Sequence, residues 1–234
     1  MPTDSRTADG HASVVCLHGL DRTPSDWDGV RAGLEPFGLV RTPHLPGRPA
    51  DALARADSAI RAGDIVVAHS LGGVVALRLA RDKPRPLRAL VLTGCFFPPA
   101  RNGRSLTRTA GDYAAHRVAF VRSIDLRRRD RADRPGGSVG ALASLIRLAA
   151  RPGDFGATLA AVAAPVLVVH AEDDHHVPVA FALAAAARQP GWSIEILDHG
   201  GHNAHVDRPQ AWLDAVTPWL QEIGDPRRAT AVGG

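Results

Sequence analysis

Lysine is almost absent from these 234 residues: Lys83 is the only one, and the other 27 of the 28 basic side chains are arginine. The formal net charge of +4 therefore reflects a compositional skew toward arginine, set beside abundant alanine. The densest basic run, RRRDRADR (127–134), is interrupted by acids, so a nucleic-acid partner is not expected. Cysteine is scarce too. Cys16 and Cys95 cannot build a disulfide framework, and reduced thiols in a cytoplasmic protein are the expectation. No apolar run approaches the length of a membrane span. The opening MPTDSRTADGHAS has no apolar stretch, so no secretory leader is expected. Neither G-x-x-x-x-G-K-[ST] nor H-E-x-x-H occurs, and no G-x-G-x-x-G follows the first apolar run. Those gaps exclude a P-loop, a zincin helix and a dinucleotide fingerprint.

What is present reads as one globular domain. The chain is 45% hydrophobic and 22% charged, enough to bury a core at this length. Short apolar runs at 12–17, 38–42, 64–69, 88–94, 165–171 and 192–198 read as six strands, most of them without polar alternation. Between them lie helical patterns. Trp27, Val30 and Leu34 recur at helical spacing, with Ser25 as the expected N-cap. Residues 51–62 form a second helix closed by Gly63, and 71–82 a third, stopped by Pro84 and Pro86. Helices over 177–189 and 208–223 follow, the last with Trp212, Val216 and Trp219 on one face. Trp27, Trp192, Trp212 and Trp219 are all expected in the core. Alternating strands and helices imply an α/β fold with a mostly parallel sheet covered on both faces. Residues 97–160 break the alternation and are expected to form a small helical cap insertion, with helices near 107–124 and 139–150. The domain spans 1–234, with 224–234 as a frayed tail.

The chemistry concentrates in DIVVAHSLGGVVALRLA (64–80). A buried strand runs into Ser70 and a helix begins at once, with Gly72 and Gly73 in its first turn. A serine on so sharp a turn has its hydroxyl exposed at the carboxyl end of the sheet. Its neighbours must be small because strand and helix backbones pass close together. This is the G-x-S-x-G nucleophile elbow, with Ala68 in place of the first glycine. The helix N-terminus behind Ser70 also favours negative charge developing nearby.

LHGL (17–20), Trp27, HLPGRP (44–49), AHSLGG (68–73), HAEDDHHVP (170–178) and GGHNAHVDRPQAW (200–212) occur in order on the expected elements. Together they resemble the α/β-hydrolase superfamily over nearly the full chain. The resemblance implies a triad in chain order Ser, acid, His. Ser70 needs a base, and a carboxylate must orient that base. In similar proteins the base is a Gly-His followed by an acid and a proline. Gly201-His202, then Asp207 and Pro209, match, so His202 is the expected base. His199 and His205 are expected at the surface or behind the site. Similar proteins carry G-x-x-D-x-x-V-P at the acid loop, and aligning on Val177-Pro178 puts the acid at Asp174. Asp173 is the alternative, while Glu172, His175 and His176 read as loop residues.

An oxyanion hole needs two donors aimed at the developing charge. Elbow geometry supplies the backbone N–H of Leu71, and the resemblance adds that of Leu20, with His18 fixing the loop. Cys95 reads as a small buried residue. No cofactor is expected, and a zinc cluster among His199, His202 and His205 is not, since the spacing fits no known ligand set.

The resemblance implies a serine hydrolase that cleaves a carboxylic ester of a small or medium substrate through an acyl-enzyme. The partner is then a small-molecule ester, with no membrane. Thioesters and lactones would use the same groups. A lyase or biosynthetic enzyme on the same triad remains open, VLTGCFFPPA (91–100) being distantly similar to plant lyases and methylesterases of this superfamily. So does a ligand receptor with a slow triad. A serine in place of aspartate argues against epoxide hydrolase and dehalogenase chemistry.

Overall fold

The computed structural model describes residues 13–20, 22–95, 97 and 155–224. Six strands pair in one sheet: β1 (Ser13–Leu17), β2 (Leu39–Arg41), β3 (Ile65–His69), β4 (Ala89–Thr93), β5 (Val166–Ala171) and β6 (Trp192–Leu197). Their order across the sheet is β2-β1-β3-β4-β5-β6, and every neighbouring pair is parallel. All six are the strands expected from the sequence. The chain steps outward from β1 to β2 and then returns to the other side of β1. The carboxyl ends of β1 and β3 thus flank the reversal point, where open α/β sheets place their sites.

The described helices are α1 (Asp28–Leu34), α2 (Pro49–Ala59), α3 (Leu71–Asp82), α4 (Phe155–Ala160), α5 (Val179–Ala186), α6 (Ala204–Asp207) and α7 (Pro209–Gly224). The strands alternate cleanly between two cores. Val15, Leu17, Val66, Ala68, Leu90 and Leu92 pack under α2, α3, α4 and α5, where Val75, Leu159 and Phe181 are buried. Val14, Cys16, Ile65, Val67, Val91 and Leu167 pack under α1 and α7, against Trp27, Val30, Leu34 and Trp212. A sheet buried on both sides explains why its strands lack polar alternation.

Several boundaries differ from the sequence reading. A 3-10 turn over Pro24–Trp27 precedes α1, and the Ser25 hydroxyl bonds Thr23 Oγ1 at 2.7 Å in place of a helix cap. Helix α2 ends at Ala59, so Gly63, at φ +82°, turns the following loop and does not close the helix. Helix α5 is shorter than 177–189 and starts after Pro178. On α7 the buried face is Trp212, Val216 and Leu220, all four residues apart. Trp219 is half-buried and donates its Nε1–H to Ser193 Oγ on β6 at 3.0 Å. Trp192 is half-buried as well, because β6 is an edge strand. Of the expected insertion, Phe97 and Phe155–Ala160 are described, and Leu159 is fully buried against the sheet. The helices expected near 107–124 and 139–150 lie outside the described residues, as do residues 225–234 of the tail, while Gly224 ends α7.

Candidate active site

Ser70 sits between the last residue of β3 and the first of α3. Its backbone has φ 49° and ψ −111°, the only positive φ of a non-glycine among the described residues. Such a conformation costs about 1–3 kcal/mol and persists only where the surroundings impose it. Here they do. Ser70 N–H donates to Thr93 O at 3.0 Å, and Ser70 O accepts from Gly73 and Val74 at 3.1 and 3.3 Å. A Cβ on Gly72 would stand 2.3 Å from the Leu17 carbonyl oxygen, and one on Gly73 would stand 1.9 Å from Cys95 Sγ. Both glycines are demanded by close approach. Ala68 is fully buried, in register with Leu17 and Leu92, and its methyl fits where glycine is usual. Cys95 is fully buried, where it fills the space against Gly73, and burial pushes its thiol pKa up.

The structure brings Ser70, His202 and Asp174 into one chain of contacts. Ser70 Oγ lies 3.1 Å from His202 Nε2, and His202 Nδ1 lies 2.9 Å from Asp174 Oδ2. A carboxylate only accepts, so Nδ1 carries the ring proton and the Nε2 lone pair faces the hydroxyl. His202 is carried by a 3-10 turn over Gly201–Asn203. Its backbone rests on Gly94, where a Cβ would come within 2.9 Å of the His202 carbonyl oxygen.

Asp174 is buried, and each of its oxygens is engaged. Oδ1 accepts the N–H groups of His176 and Val177 at 2.8 and 2.9 Å. Oδ2 faces His202 and also His170 Nε2, at 3.3 Å. Burial opposes the charge, but hydrogen bonds from His170, His202 and Val177 outweigh it. They hold the carboxyl far below the usual carboxylate range. Asp173 is half-buried, and its described bonds go to the backbone beside His202 and not to the ring. It accepts the Gly201 N–H at 2.8 Å and so braces the turn that carries His202.

The remaining histidines separate. His199 is 73% exposed, 3.9 Å from Asp173. His205 is fully buried behind the site, one of the two places expected for it, with ring centroids 4.4 Å from Trp27 and 4.5 Å from His69. The three histidines of H-x2-H-x2-H thus face three different surroundings. Among the described residues no group of three or more His, Cys, Asp or Glu is placed to hold a metal. His176 stacks on His202 with centroids 5.0 Å apart. Glu172 and His175 are exposed.

The loop after β1 lies against the serine. A Cβ on Gly19 would stand 3.3 Å from Ser70 Cβ and 2.8 Å from His69 Nδ1. His18 holds this loop: Nε2 accepts the Leu45 N–H at 2.8 Å, which leaves Nδ1–H to donate to Gly19 O at 2.8 Å. The bond that Nε2 accepts needs the neutral ring, and burial, which pushes the His18 pKa down, favours that form. Leu20 is half-buried on this loop and packs on the core. Leu71 opens α3, so its N–H has no acceptor within the helix.

Sequence reasoning missed two side chains. His69 donates its Nε2–H to the His202 carbonyl at 2.9 Å, and Thr93 accepts the Trp212 Nε1–H at 2.9 Å, tying α7 to β4. The first had a visible signal, a histidine beside the serine. The second had none, since 119 residues separate its partners.

Comparison with known proteins agrees with the fold. A pimeloyl-[acyl-carrier protein] methyl ester esterase of Aromatoleum aromaticum is 29% identical, covering 84% of this chain and 93% of the relative. A Klebsiella pneumoniae protein designated a carbamate hydrolase, RutD, is 30% identical over 92% of this chain and 96% of its own. Among solved structures, a haloalkane dehalogenase DbeA variant from Bradyrhizobium elkanii superposes with a TM-score of 0.66 at 20% identity, covering 97% of this chain and 93% of that one. At that identity the likeness is one of fold alone. Residues 14–215 match the model of the alpha/beta hydrolase family, and the chain belongs to that family.

Proposed function

We propose that the protein is a serine hydrolase that cleaves a carboxylic ester through an acyl-enzyme. The observation that carries this reading is the unbroken contact from Ser70 Oγ through His202 to Asp174, at 3.1 and 2.9 Å. In this reading Ser70 Oγ attacks the ester carbonyl carbon while His202 Nε2 takes its proton. Asp174 keeps Nδ1 protonated and stabilises the imidazolium that forms. The backbone N–H groups of Leu20 and Leu71 receive the developing oxyanion. Collapse of the tetrahedral intermediate expels the alcohol, which takes the proton from His202. Water then repeats the sequence on the acyl-serine and frees the acid.

The similarity to a methyl ester esterase supports an ester substrate. A serine at the elbow supports hydrolysis over dehalogenation, whatever the likeness of fold to a haloalkane dehalogenase. A second reading, carbamate hydrolysis, draws on the Klebsiella relative and uses the same groups. Turnover on a panel of p-nitrophenyl esters, thioesters, lactones and carbamates tests the proposal. Rapid multiple turnover of esters, abolished in Ser70→Ala, is the expected result. Turnover retained in Ser70→Ala, or no labelling of Ser70 by a fluorophosphonate, overturns it.

A further inference from the structure

We propose that His170 is a positioning residue for Asp174, holding the acid from the side opposite the base; this rests on the reading of Ser70, His202 and Asp174 given above. The observations are geometric. His170 is the fifth residue of β5, and its side chain is completely buried. Its Nε2 lies 2.7 Å from Val177 O and 3.3 Å from Asp174 Oδ2. The carbonyl only accepts, so Nε2 carries the proton. That one N–H closes the acid-bearing loop from Ala171 to Val177 and leans its positive end on the carboxylate. The Val177 peptide completes the clamp. Its carbonyl takes the His170 proton, while its N–H holds Asp174 Oδ1 at 2.9 Å. His170 therefore reaches the acid twice, once directly and once through Val177. Asp174 stands between two imidazoles, and Oδ2 is shared by both.

Sharing has a signed consequence. A donor on the far side of the carboxylate offsets part of the negative charge that His202 feels. It makes the acid a weaker partner for the imidazolium. Removing that donor strengthens the pull of Asp174 on a proton at His202. The base then stays protonated to higher pH, and the ascending limb of the rate profile moves up. The other groups facing His202 are Ser70, His69 at 4.9 Å between ring centroids, His176 at 5.0 Å, and the nearby His205. None of them touches His170 in the bonds described, so they are constant across the comparison.

The test is the pH profile of kcat/KM on an ester turned over by the wild type, for His170→Leu and His170→Gln. Leucine keeps the bulk without the donor. Glutamine places an amide N–H close to the position of Nε2. In His170→Leu the ascending limb is expected to move up by about half a pH unit, read as a roughly threefold loss of rate below the limb, with a further loss of up to about tenfold on the plateau from a loosened acid. His170→Gln should restore the limb. Should the leucine variant not fold, His170→Asn replaces it, because its amide ends near the level of Nδ1 and reaches neither acceptor. A folded variant without the donor whose limb does not move overturns the proposal, even if its rate falls. So does a limb that moves equally in His170→Gln. Ser70→Ala, run alongside, separates the two readings. If it keeps turnover, the assignment of the triad fails. If it is inactive and the limb is unmoved, only the role of His170 fails.

Discussion

His69 Nε2 and the carbonyl oxygen of His202 are 2.9 Å apart, although 133 residues separate them in the chain. The bond joins the residue before the candidate nucleophile to the backbone of the candidate base. On its other side the same ring abuts Gly19, on the loop that carries Leu20. One buried side chain thus sets the spacing of three separate segments. His69→Phe keeps the ring packing but leaves the His202 carbonyl without its donor. It should lower kcat by about 10–100-fold with little change in KM, because small displacements of a reacting group are costly. Steady-state kinetics of the folded variant decide this, and an unchanged kcat would remove His69 from the site.

Asp174→Asn should lower kcat by about 10²–10⁴-fold while leaving the thermal midpoint near that of the wild type. The amide can present an N–H to His202 Nδ1, which favours the wrong tautomer. Asp173→Asn should stay within about threefold, since Asn Oδ1 can still accept the Gly201 N–H that Asp173 holds at 2.8 Å. Kinetics of the pair fix which aspartate is the acid. A crippled Asp173→Asn beside an active Asp174→Asn would shift the assignment by one residue.

Gly73→Ala should destabilise the fold by about 1–3 kcal/mol through overpacking. Its Cβ would fall 1.9 Å from Cys95 Sγ, but 3.2 Å from Cys95 Cβ. Adding Cys95→Ala should therefore recover most of the loss. Urea unfolding of both single variants and the double variant gives the coupling directly. Purely additive effects would mean that the clash is with something other than the sulfur.

Stability should fall as the solution is acidified from pH 7. Burial pushes the pKa of His18 down, that of His69 well down, and that of His205 down to about 3. Unfolded, each ring takes up a proton near the ordinary value of about 6.5. Below that pH the unfolded chain binds more protons than the folded one, so stability is fully present above it and is lost as pH drops. Each histidine contributes a slope of up to about 1.4 kcal/mol per pH unit. Urea midpoints at pH 8, 6.5 and 5 measure the effect. His205→Phe, which keeps a ring between Trp27 and His69, should flatten the slope by one proton, and a flat wild-type profile would contradict the burial of these rings as neutral groups.

The sequence by itself determined the sheet and its punctuation. Continuous apolar runs such as IVVAH mark strands buried on both faces, and small residues around Ser70 mark a turn where two backbones nearly touch. Those signals are local, and each reflects a constraint within a few residues. The order of Ser70, Asp174 and His202 was legible for the same reason, since each follows a recognisable strand. The tertiary structure alone decided where each neighbour sits. Asp173 and Asp174 are chemically alike in sequence, yet only Asp174 turns inward, because Val177 N–H and His170 hold it there. His199, His202 and His205 are evenly spaced, yet one faces solvent, one faces Ser70 and one fills a core against Trp27. Exposure and long-range hydrogen bonding separate them, and neither is written in spacing. On α7 periodicity put Trp212, Val216 and Trp219 on one face, and all three do pack on the same core, but only packing against β4, β5 and β6 buries Trp212, Val216 and Leu220 fully and leaves Trp219 half-buried.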